Sequence, residues 1–258
     1  MCRHFCLAVI LSAAVNLTAS AKEKTIIIND VPWAPYFFIG DESEQLGIAK
    51  EILNHCLLKQ GYKTQYARLP IKRTHHYMKQ GIIDLTVYSY QQDREKILFY
   101  AKEPIFNAEY GFLVRADSDI EIKKIQDVEP YQIGHLAGLT YTPEYMEIIN
   151  AKTKLNQVTV GHSLESMFLQ LLAPIPRFDI MADSKNTFHW FAKYKGVSDK
   201  VKVLDYTIKN KDYFITISKR SKNIDNPQAV LKQTDACLKQ LKIDGSYNAI
   251  LANYGQTK

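Results

Sequence analysis

The order of apolar segments along this chain limits its fold more than any other feature. A β-type run at residues 25–28 is followed by a helical stripe at 48–57, a second β run at 63–69, a helix at 70–81 and a third β run at 82–88. Strands that alternate with helices pair in parallel through crossover helices. The first hundred residues therefore predict an α/β unit.

A similar unit follows in the second hundred residues. Its predicted strands are residues 131–136, 157–160 and 178–182, and its predicted helices cover residues 143–149 and 164–172. The tail adds a strand at residues 212–218, an amphipathic helix containing Leu231, Leu238 and Leu241, and a short final helix containing Tyr254. Two consecutive α/β units predict two lobes.

The N-terminus has the three-part pattern of a secretory signal peptide. Arg3 is the charged part, residues 5–17 are mostly apolar, and Ala19-Ser20-Ala21 supplies the small residues of a cleavage site. The apolar run is too short to span a bilayer, although an uncleaved anchor is the alternative. We expect residues 1–21 to be removed and the mature protein to be soluble in the periplasm.

The charge pattern argues against nucleic-acid binding. The formal net charge is +6 at pH 7, but the basic residues are scattered, with no run beyond Lys123-Lys124 or Lys219-Arg220. A nucleic-acid-binding protein needs a clustered basic face. The positive charge therefore indicates ordinary solubility, and we expect no nucleic-acid partner.

Two cysteines, Cys56 and Cys237, remain after removal of the signal peptide. Export permits a disulfide between them. Both lie on the apolar stripes of predicted helices, however, where a buried thiol needs no partner. The sequence leaves both alternatives open. Two cysteines without histidines at ligand spacing do not make a zinc site, and we expect neither a metal nor a cofactor.

Residues that directly follow predicted strands are the candidates for a binding site, because ligands of open α/β sheets lie beyond the carboxyl ends of the strands. These candidates include aromatic rings, hydroxyls, a guanidinium and a carboxylate. Arginine forms paired hydrogen bonds with a carboxylate, and aspartate forms an ion pair with an ammonium group. The set therefore fits a zwitterionic ligand. The candidates are Asp30, Trp33, Tyr36, Ser89, Tyr90, Gln91, Arg94, Leu136, Gly138, Leu139, Thr140, Tyr141 and Asp183.

Each main candidate also has a structural alternative. Arg94 fits a solvated charge cluster at a helix start, and Trp33 and Tyr36 fit a core. Asp183 fits a helix cap, and Gly138 fits a plain turn. The chain lacks the motifs G-x-S-x-G, H-E-x-x-H and G-x-G-x-x-G and a P-loop, so we expect no catalytic residues.

Four segments resemble the extracellular solute-binding proteins of the polar amino-acid uptake type, family 3. The C-terminal segment is the most specific, and the resemblance spans nearly all of the mature chain. The segments are Asp30–Tyr36 (DVPWAPY) followed by Gly47, Ser89–Arg94 (SYQQDR) followed by Phe99-Tyr100 and Glu103-Pro104, Ile133–Thr140 (IGHLAGLT), and Asp235–Gly255 (DACLKQLKIDGSYNAILANYG).

The resemblance implies the type II periplasmic-binding fold, in which each of two lobes is a mostly parallel sheet flanked by helices. The first lobe is expected at residues 22–112 with 213–258, and the second at 113–212, joined by two hinge crossings.

The resemblance also implies roles for individual residues. Arg94 is expected to bind a ligand carboxylate, assisted by Ser89 and by backbone N–H groups near Thr140. Trp33 and Tyr36 are expected to form an aromatic wall. Asp30 is expected to reach the ligand side chain, and Asp183 to accept an α-ammonium. The family usually has threonine where Gln91 and Leu139 stand, and its G-R-x-D-x-x-x-x-D pattern appears as the shorter Arg177–Asp183.

These observations predict a monomeric binding protein and not an enzyme. We expect it to capture a small carboxylate-bearing ligand and deliver it to the permease of an ABC transporter. An amino acid is the main candidate for this ligand. One alternative is a periplasmic sensor that presents its ligand-bound form to a membrane receptor. A second is a dehydratase-type enzyme on the same fold, with Glu103 or Glu144 as its acid.

Overall fold

The computed structural model describes residues 24–39, 45–69 and 71–256, so the expected signal peptide lies outside the described residues. The strands are β1 (Lys24–Asp30), β2 (Tyr62–Arg68), β3 (Leu85–Ser89), β4 (Leu98–Arg115), β5 (Ile133–Leu136), β6 (Val158–Gly161), β7 (Ile180–Ser184) and β8 (Val201–Ser218). The helices are α1 (Ile48–Leu58), α2 (Ile71–Gln80), α3 (Pro143–Lys154), α4 (Leu164–Leu171), α5 (Lys185–Tyr194), α6 (Pro227–Ile243) and α7 (Ser246–Asn253).

The strands form one mixed sheet in the order β2-β1-β3-β8-β4-β7-β5-β6. Strand β1 pairs in parallel with β2 and β3, and β5 pairs in parallel with β6 and β7. The two central strands, each 18 residues long, are antiparallel to each other and to their outer neighbours. The predicted parallel units are therefore present at the two ends of the sheet.

Apolar clusters divide the elements into two halves. The first half is built on the cluster that includes Ile28, Ile52 and Leu238, between the sheet and helices α1 and α6. The second half is built on clusters around Phe112 and Phe168, which cover the two faces of its part of the sheet. Each half therefore has its own core, as an independently moving lobe requires.

The two long strands carry the chain between the halves. Along β4 the cluster changes between Phe106 and Ala108, and along β8 it changes between Ile208 and Ile215. Between these points, residues 106–110 of β4 pair with residues 209–213 of β8; we call this pairing the crossing ladder. The pairing shifts register on both sides of the ladder, and such bulges bend strands.

We propose that the lobes divide at the crossing ladder. The predicted boundary at residues 212 and 213 lies at one end of the ladder. The predicted boundary at residue 112 lies farther along β4, where Phe112 already packs in the second half. The division into lobes stays a prediction.

Gly47 fixes how the loop after β1 meets helix α1. Its φ of 100° is a left-handed conformation that favours glycine. A Cβ at this position would lie only 2.6 Å from the carbonyl oxygen of Tyr36. The loop carrying Trp33 and Tyr36 can therefore fold closely over the start of α1, which explains the position of this glycine in the first motif.

A disulfide joins Cys56 on α1 to Cys237 on α6, with Cα atoms 5.7 Å apart. The two helices lie side by side on the first core, and the sequence alone could not give this distance. The bridge spans 181 residues of sequence. It therefore links the start of the chain to the returning tail within the first half.

Among the described residues, no helix is both long and apolar enough to cross a membrane.

Reduction of this disulfide is expected to destabilise the protein. Replacing both cysteines, as Cys56→Ala with Cys237→Ala, should lower the free energy of unfolding by about 2–5 kcal/mol, because the unfolded chain loses a long-range restraint. Urea unfolding of the variant and of the wild type with and without reductant measures this loss. Unchanged stability after reduction would show that the bridge is not formed.

Candidate functional site

An aromatic cluster sits on the crossing ladder. The Trp33 ring lies 4.8 Å from Tyr36, 5.3 Å from Phe106 and 4.7 Å from Tyr213, measured between ring centroids. Tyr36 stacks on Phe106 at 3.9 Å. The hydroxyl of Tyr213 is 2.9 Å from that of Tyr110. The loop after β1 is thereby anchored on the two strands that join the halves.

Tyr36 is almost fully buried, with 1% of its surface exposed. Its hydroxyl donates to the carbonyl of Asn107 at 3.3 Å and accepts from the side-chain amide of Asn186 at 3.1 Å. Burial raises the pKa of Tyr36 to about 12. Tyr36 thus links the first half to helix α5 of the second, whereas its neighbour Trp33 is only partly buried.

Arg94 lies on a short 3-10 helix, Gln92–Lys96, directly after β3. Its guanidinium lies 4.3 Å from the ring centroid of Tyr88 and donates to the carbonyl of Ser89 at 3.1 Å. Among the ion pairs of the described residues, none involves Arg94. The arginine is held by an aromatic face and a carbonyl, and its guanidinium also acts on the phenol of Tyr100. We propose that its outer N–H groups bind an external anion.

The turn after β5 belongs to the second half, and we propose that it faces Arg94. Gly138 has a φ of 91°, and a Cβ there would meet nothing within 4 Å, so the turn borders open space. Tyr141 continues this turn inwards, and its hydroxyl donates to the carbonyl of Ala182 at 2.6 Å. The hydrogen bond fixes the turn against the end of β7, where Asp183 follows.

Asp183 is a buried carboxylate with 4% of its surface exposed. The backbone N–H of Ser184 donates to it at 2.6 Å. Burial raises the pKa of Asp183 to about 7, against the opposing effects of that hydrogen bond and of the Lys209 ammonium. A group shifted in this way is typical of a functional site.

Lys209, on the crossing ladder, is the nearby cation. Its ammonium donates to the carbonyl of Thr140 and lies 4.2 Å from the ring centroid of Tyr110. Burial lowers its pKa to about 8, although the charge of Asp183 opposes that shift. Lys209 is not among the residues predicted from the sequence, because the segment Lys209-Asn210-Lys211-Asp212 has the pattern of a solvated charge run.

Tyr213 connects the two sides of the site. Burial raises its pKa, the charge of Asp183 raises it further, and the charge of Arg94 lowers it. Both charges therefore lie within electrostatic range of one phenol on the crossing ladder. We propose that Arg94, the Gly138–Thr140 turn and Lys209 border one space, which we call the cleft.

Asp30 has a partner inside the protein. Its carboxylate is 2.9 Å from the ammonium of Lys50, and both side chains are more than nine-tenths buried. The same ammonium also donates to the carbonyl of Phe38 and lies 4.6 Å from the ring centroid of Tyr66. The role expected for Asp30, contact with a ligand side chain, therefore has no support in this geometry.

The remaining predicted residues have local contacts only. Tyr90 is 52% exposed and donates to Glu95 at 3.2 Å, and Gln91 is exposed. The backbone N–H of Leu139 donates to the carbonyl of Leu136 at 3.2 Å, which closes the turn. Contact of these residues with a ligand stays a prediction.

Several residues of the site lie on segments that sequence reasoning missed. Phe106, Tyr110 and Lys209 belong to parts of the long strands where charges and a proline interrupt the alternation. Tyr213 lies on the predicted strand at residues 212–218 but was not among the candidates. Asn186 belongs to α5, for which a signal was present: Phe188 and Ala192 are spaced four residues apart on one buried face. The strands were harder to predict, because their buried aromatic residues alternate with exposed polar ones only near the crossing.

Comparisons with known proteins give a consistent result. The sequence profile of the bacterial extracellular solute-binding proteins, family 3, matches residues 26–257. A comparison with curated protein sequences finds no significant match.

Solved structures support the same fold. A mutant of ArgBP from T. maritima shares 17% identity, with 90% of this chain and 95% of that one covered, at a TM-score of 0.70. Substrate-binding domain 2 of Lactococcus lactis GlnP, in an open conformation, shares 19% identity over 92% and 98%, at a TM-score of 0.64. A histidine kinase sensor domain described as similar to periplasmic binding proteins shares 14% identity over 90% and 96%, at 0.68. The two-lobed fold is therefore confirmed.

The ion pair of Asp30 gives a first prediction. Replacing Asp30 by Ala should lower the free energy of unfolding by about 3–5 kcal/mol, because Lys50 is left buried without its counter-ion. The double variant Asp30→Leu with Lys50→Met should recover most of the loss. Urea unfolding measures both. A single variant with normal stability but weakened ligand binding would instead show that Asp30 acts on the ligand.

Asp183 gives a prediction about pH. Its pKa rises from an ordinary 3.8 to about 7 in the folded protein, so the native state holds this proton more tightly than the unfolded chain. The ionisation of Asp183 therefore lowers the free energy of unfolding as the pH rises from 3.8 to about 7. Asp183→Asn should gain up to about 4 kcal/mol relative to the wild type between pH 4 and 8. Urea unfolding across this range tests it; a pH-independent difference would contradict the shift.

Proposed function

Because this chain belongs to the bacterial extracellular solute-binding proteins, family 3, we propose that it captures a small carboxylate-bearing solute in the cleft and delivers it to an ABC transporter. The observation that carries this proposal is Arg94, a guanidinium held at the cleft with no carboxylate of its own among the described residues. A ligand carboxylate supplies the missing partner. Amino acids, the expected ligands, belong to this class of solutes.

Capture requires the two halves to move relative to each other. The halves have separate cores and share two strands, and bulges flank the crossing ladder. A ligand that contacts Arg94 and the turn at Gly138 gains both sets of contacts only when the halves approach. Closure is favoured by contacts that exist only in the closed state. The protein therefore acts as a hinged trap that opens to release its solute.

The two acids expected for a dehydratase-type enzyme, Glu103 and Glu144, do not support that function. Glu103 pairs with Lys242 on α6 at 3.3 Å, and Glu144 is exposed at the start of α3. Neither contacts Arg94 or the groups around Lys209 in the described structure. We therefore propose binding without chemistry. Recovery of an altered compound after incubation with the protein would contradict this.

A sensor is the second candidate function. It is favoured by the likeness to a histidine kinase sensor domain, whose fold is shared at a TM-score of 0.68. Transport and sensing both need ligand-driven closure, so they differ only in the membrane partner. Stimulation of ATP hydrolysis by a reconstituted transporter supports delivery, whereas binding to a receptor kinase supports sensing.

A ligand screen tests the proposal directly. Compounds that bind only the folded protein raise its melting temperature, so amino acids and other small carboxylic acids are compared by thermal shift. A hit should also reduce the radius of gyration measured by small-angle X-ray scattering. If no carboxylate changes either quantity, capture of a small carboxylate is ruled out.

Arg94→Ala should weaken binding of the hit at least about 100-fold, the expected effect of truncating one partner of a buried charge pair. Arg115→Ala is the matched control, since Arg115 pairs with Asp117 at 2.9 Å outside the cleft and should leave affinity unchanged. Isothermal titration measures all three proteins. Equal affinity of the Arg94 variant and the wild type would remove this residue from the site.

A further inference from the structure

The cleft contains a pocket suited to a cation, and the protein fills it with its own side chain. The ammonium of Lys209 donates to the carbonyl of Thr140 and lies 4.2 Å from the ring centroid of Tyr110 and 5.3 Å from that of Tyr141. Carbonyl oxygens and aromatic faces both attract ammonium groups. The buried carboxylate of Asp183 adds negative charge nearby. Lys209 therefore occupies the position that a ligand ammonium would favour.

The lysine is held in this pocket by its place in the fold. Lys209 pairs directly with Tyr110 on the crossing ladder, so its backbone is fixed beside the ring that its ammonium faces. Its ammonium bonds to a carbonyl of the second half, while its strand continues into the first half. Displacing it would leave the Thr140 carbonyl and the two rings without their cation. A ligand would need to replace all of these contacts.

We propose that the cleft selects small carboxylates that carry no ammonium group, because Lys209 already fills the cation pocket. This inference rests on the proposed function and narrows its ligand class. The ligands that fit are hydroxy acids, oxo acids and dicarboxylates. Arg94 binds their carboxylate, and Lys209 binds their second polar group.

The charges in the cleft favour this class over amino acids. Arg94 and Lys209 supply two positive charges, and Asp183 is the carboxylate near Lys209. A ligand ammonium beside Lys209 would bring two like charges to one carboxylate, which is unfavourable in a partly buried site. A hydroxyl, carbonyl or carboxylate can instead accept a hydrogen bond, since an ammonium has three donors and Thr140 takes one.

The test compares pairs of acids that differ only in an ammonium or a hydroxyl group. The probes are L-aspartate and L-malate, L-glutamate and L-2-hydroxyglutarate, and L-alanine and L-lactate, titrated calorimetrically into the wild type. In any pair that binds, the hydroxy acid should bind about tenfold more tightly or better. A wild type that prefers the amino acid would overturn the inference.

Lys209→Met supplies the decisive variant, because methionine keeps the apolar stem of the side chain but is one atom shorter and lacks the ammonium. It empties the cation pocket, so the preference should reverse and affinity for the amino acid of the pair should rise. Lys202→Met is the control; Lys202 lies at the start of β8 and also donates to a backbone carbonyl, that of Ser118, and its loss should leave the preference unchanged. An unchanged preference in the Lys209 variant would overturn the inference.

The two proposals fail in different ways. If none of the six acids binds the wild type, while the thermal-shift screen also finds no carboxylate ligand, both the selection and the proposed capture are lost. If an amino acid binds the wild type more tightly than its hydroxy partner, and Arg94→Ala abolishes that binding, capture stands and only the role of Lys209 is wrong. Melting temperatures of both lysine variants establish that they are folded.

Discussion

The pairing of β4 with β8 is the constraint on which the rest of the structure depends. These strands are the central pair of the sheet, and they contribute to the core of both halves. Residues 106–110 and 209–213, where they cross, also carry the aromatic cluster and Lys209. In the proposed function, the hinge and the binding site are therefore built from the same residues. Movement of the halves would then change the cleft, so ligand binding and closure would be coupled.

The electrostatics of the cleft follow from this arrangement. Tyr110 and Tyr213 bury their rings on the crossing ladder and share a hydrogen bond between their hydroxyls. Arg94 acts on this pair from the first half, and Asp183 acts on it from the second. Lys209 lies between Asp183 and the turn at Thr140. The buried rings of Tyr110 and Tyr213 thus form a surface of low dielectric constant between the charges of Arg94, Asp183 and Lys209. Charges interact more strongly beside such a surface than in water, so it discriminates ligands by their charge more sharply than an exposed surface.

The sequence predicted most local elements because their signals are local. Helix α1 was predicted from apolar residues on one face, and β1 and β7 from short β-rich runs. Arg94 and Asp183 were found because they follow strands. Asp30 satisfies the same rule, yet it pairs with Lys50, twenty residues away in a buried helix face. The position of a residue after a strand places it at the edge of the sheet where ligands bind. It does not decide whether its carboxylate pairs with a ligand or with a cation of the protein.

The sequence by itself determined the succession of strands and helices, two α/β units, the family and the residues at the ends of the strands. Only the tertiary structure decided the disulfide, the 18-residue crossing strands and the placement of Lys209. The physical reason is distance along the chain. Periodicity reports contacts within a few residues. Cys56 meets Cys237 only after the chain has crossed between the halves and returned, and Lys209 meets Thr140 across 69 residues of sequence.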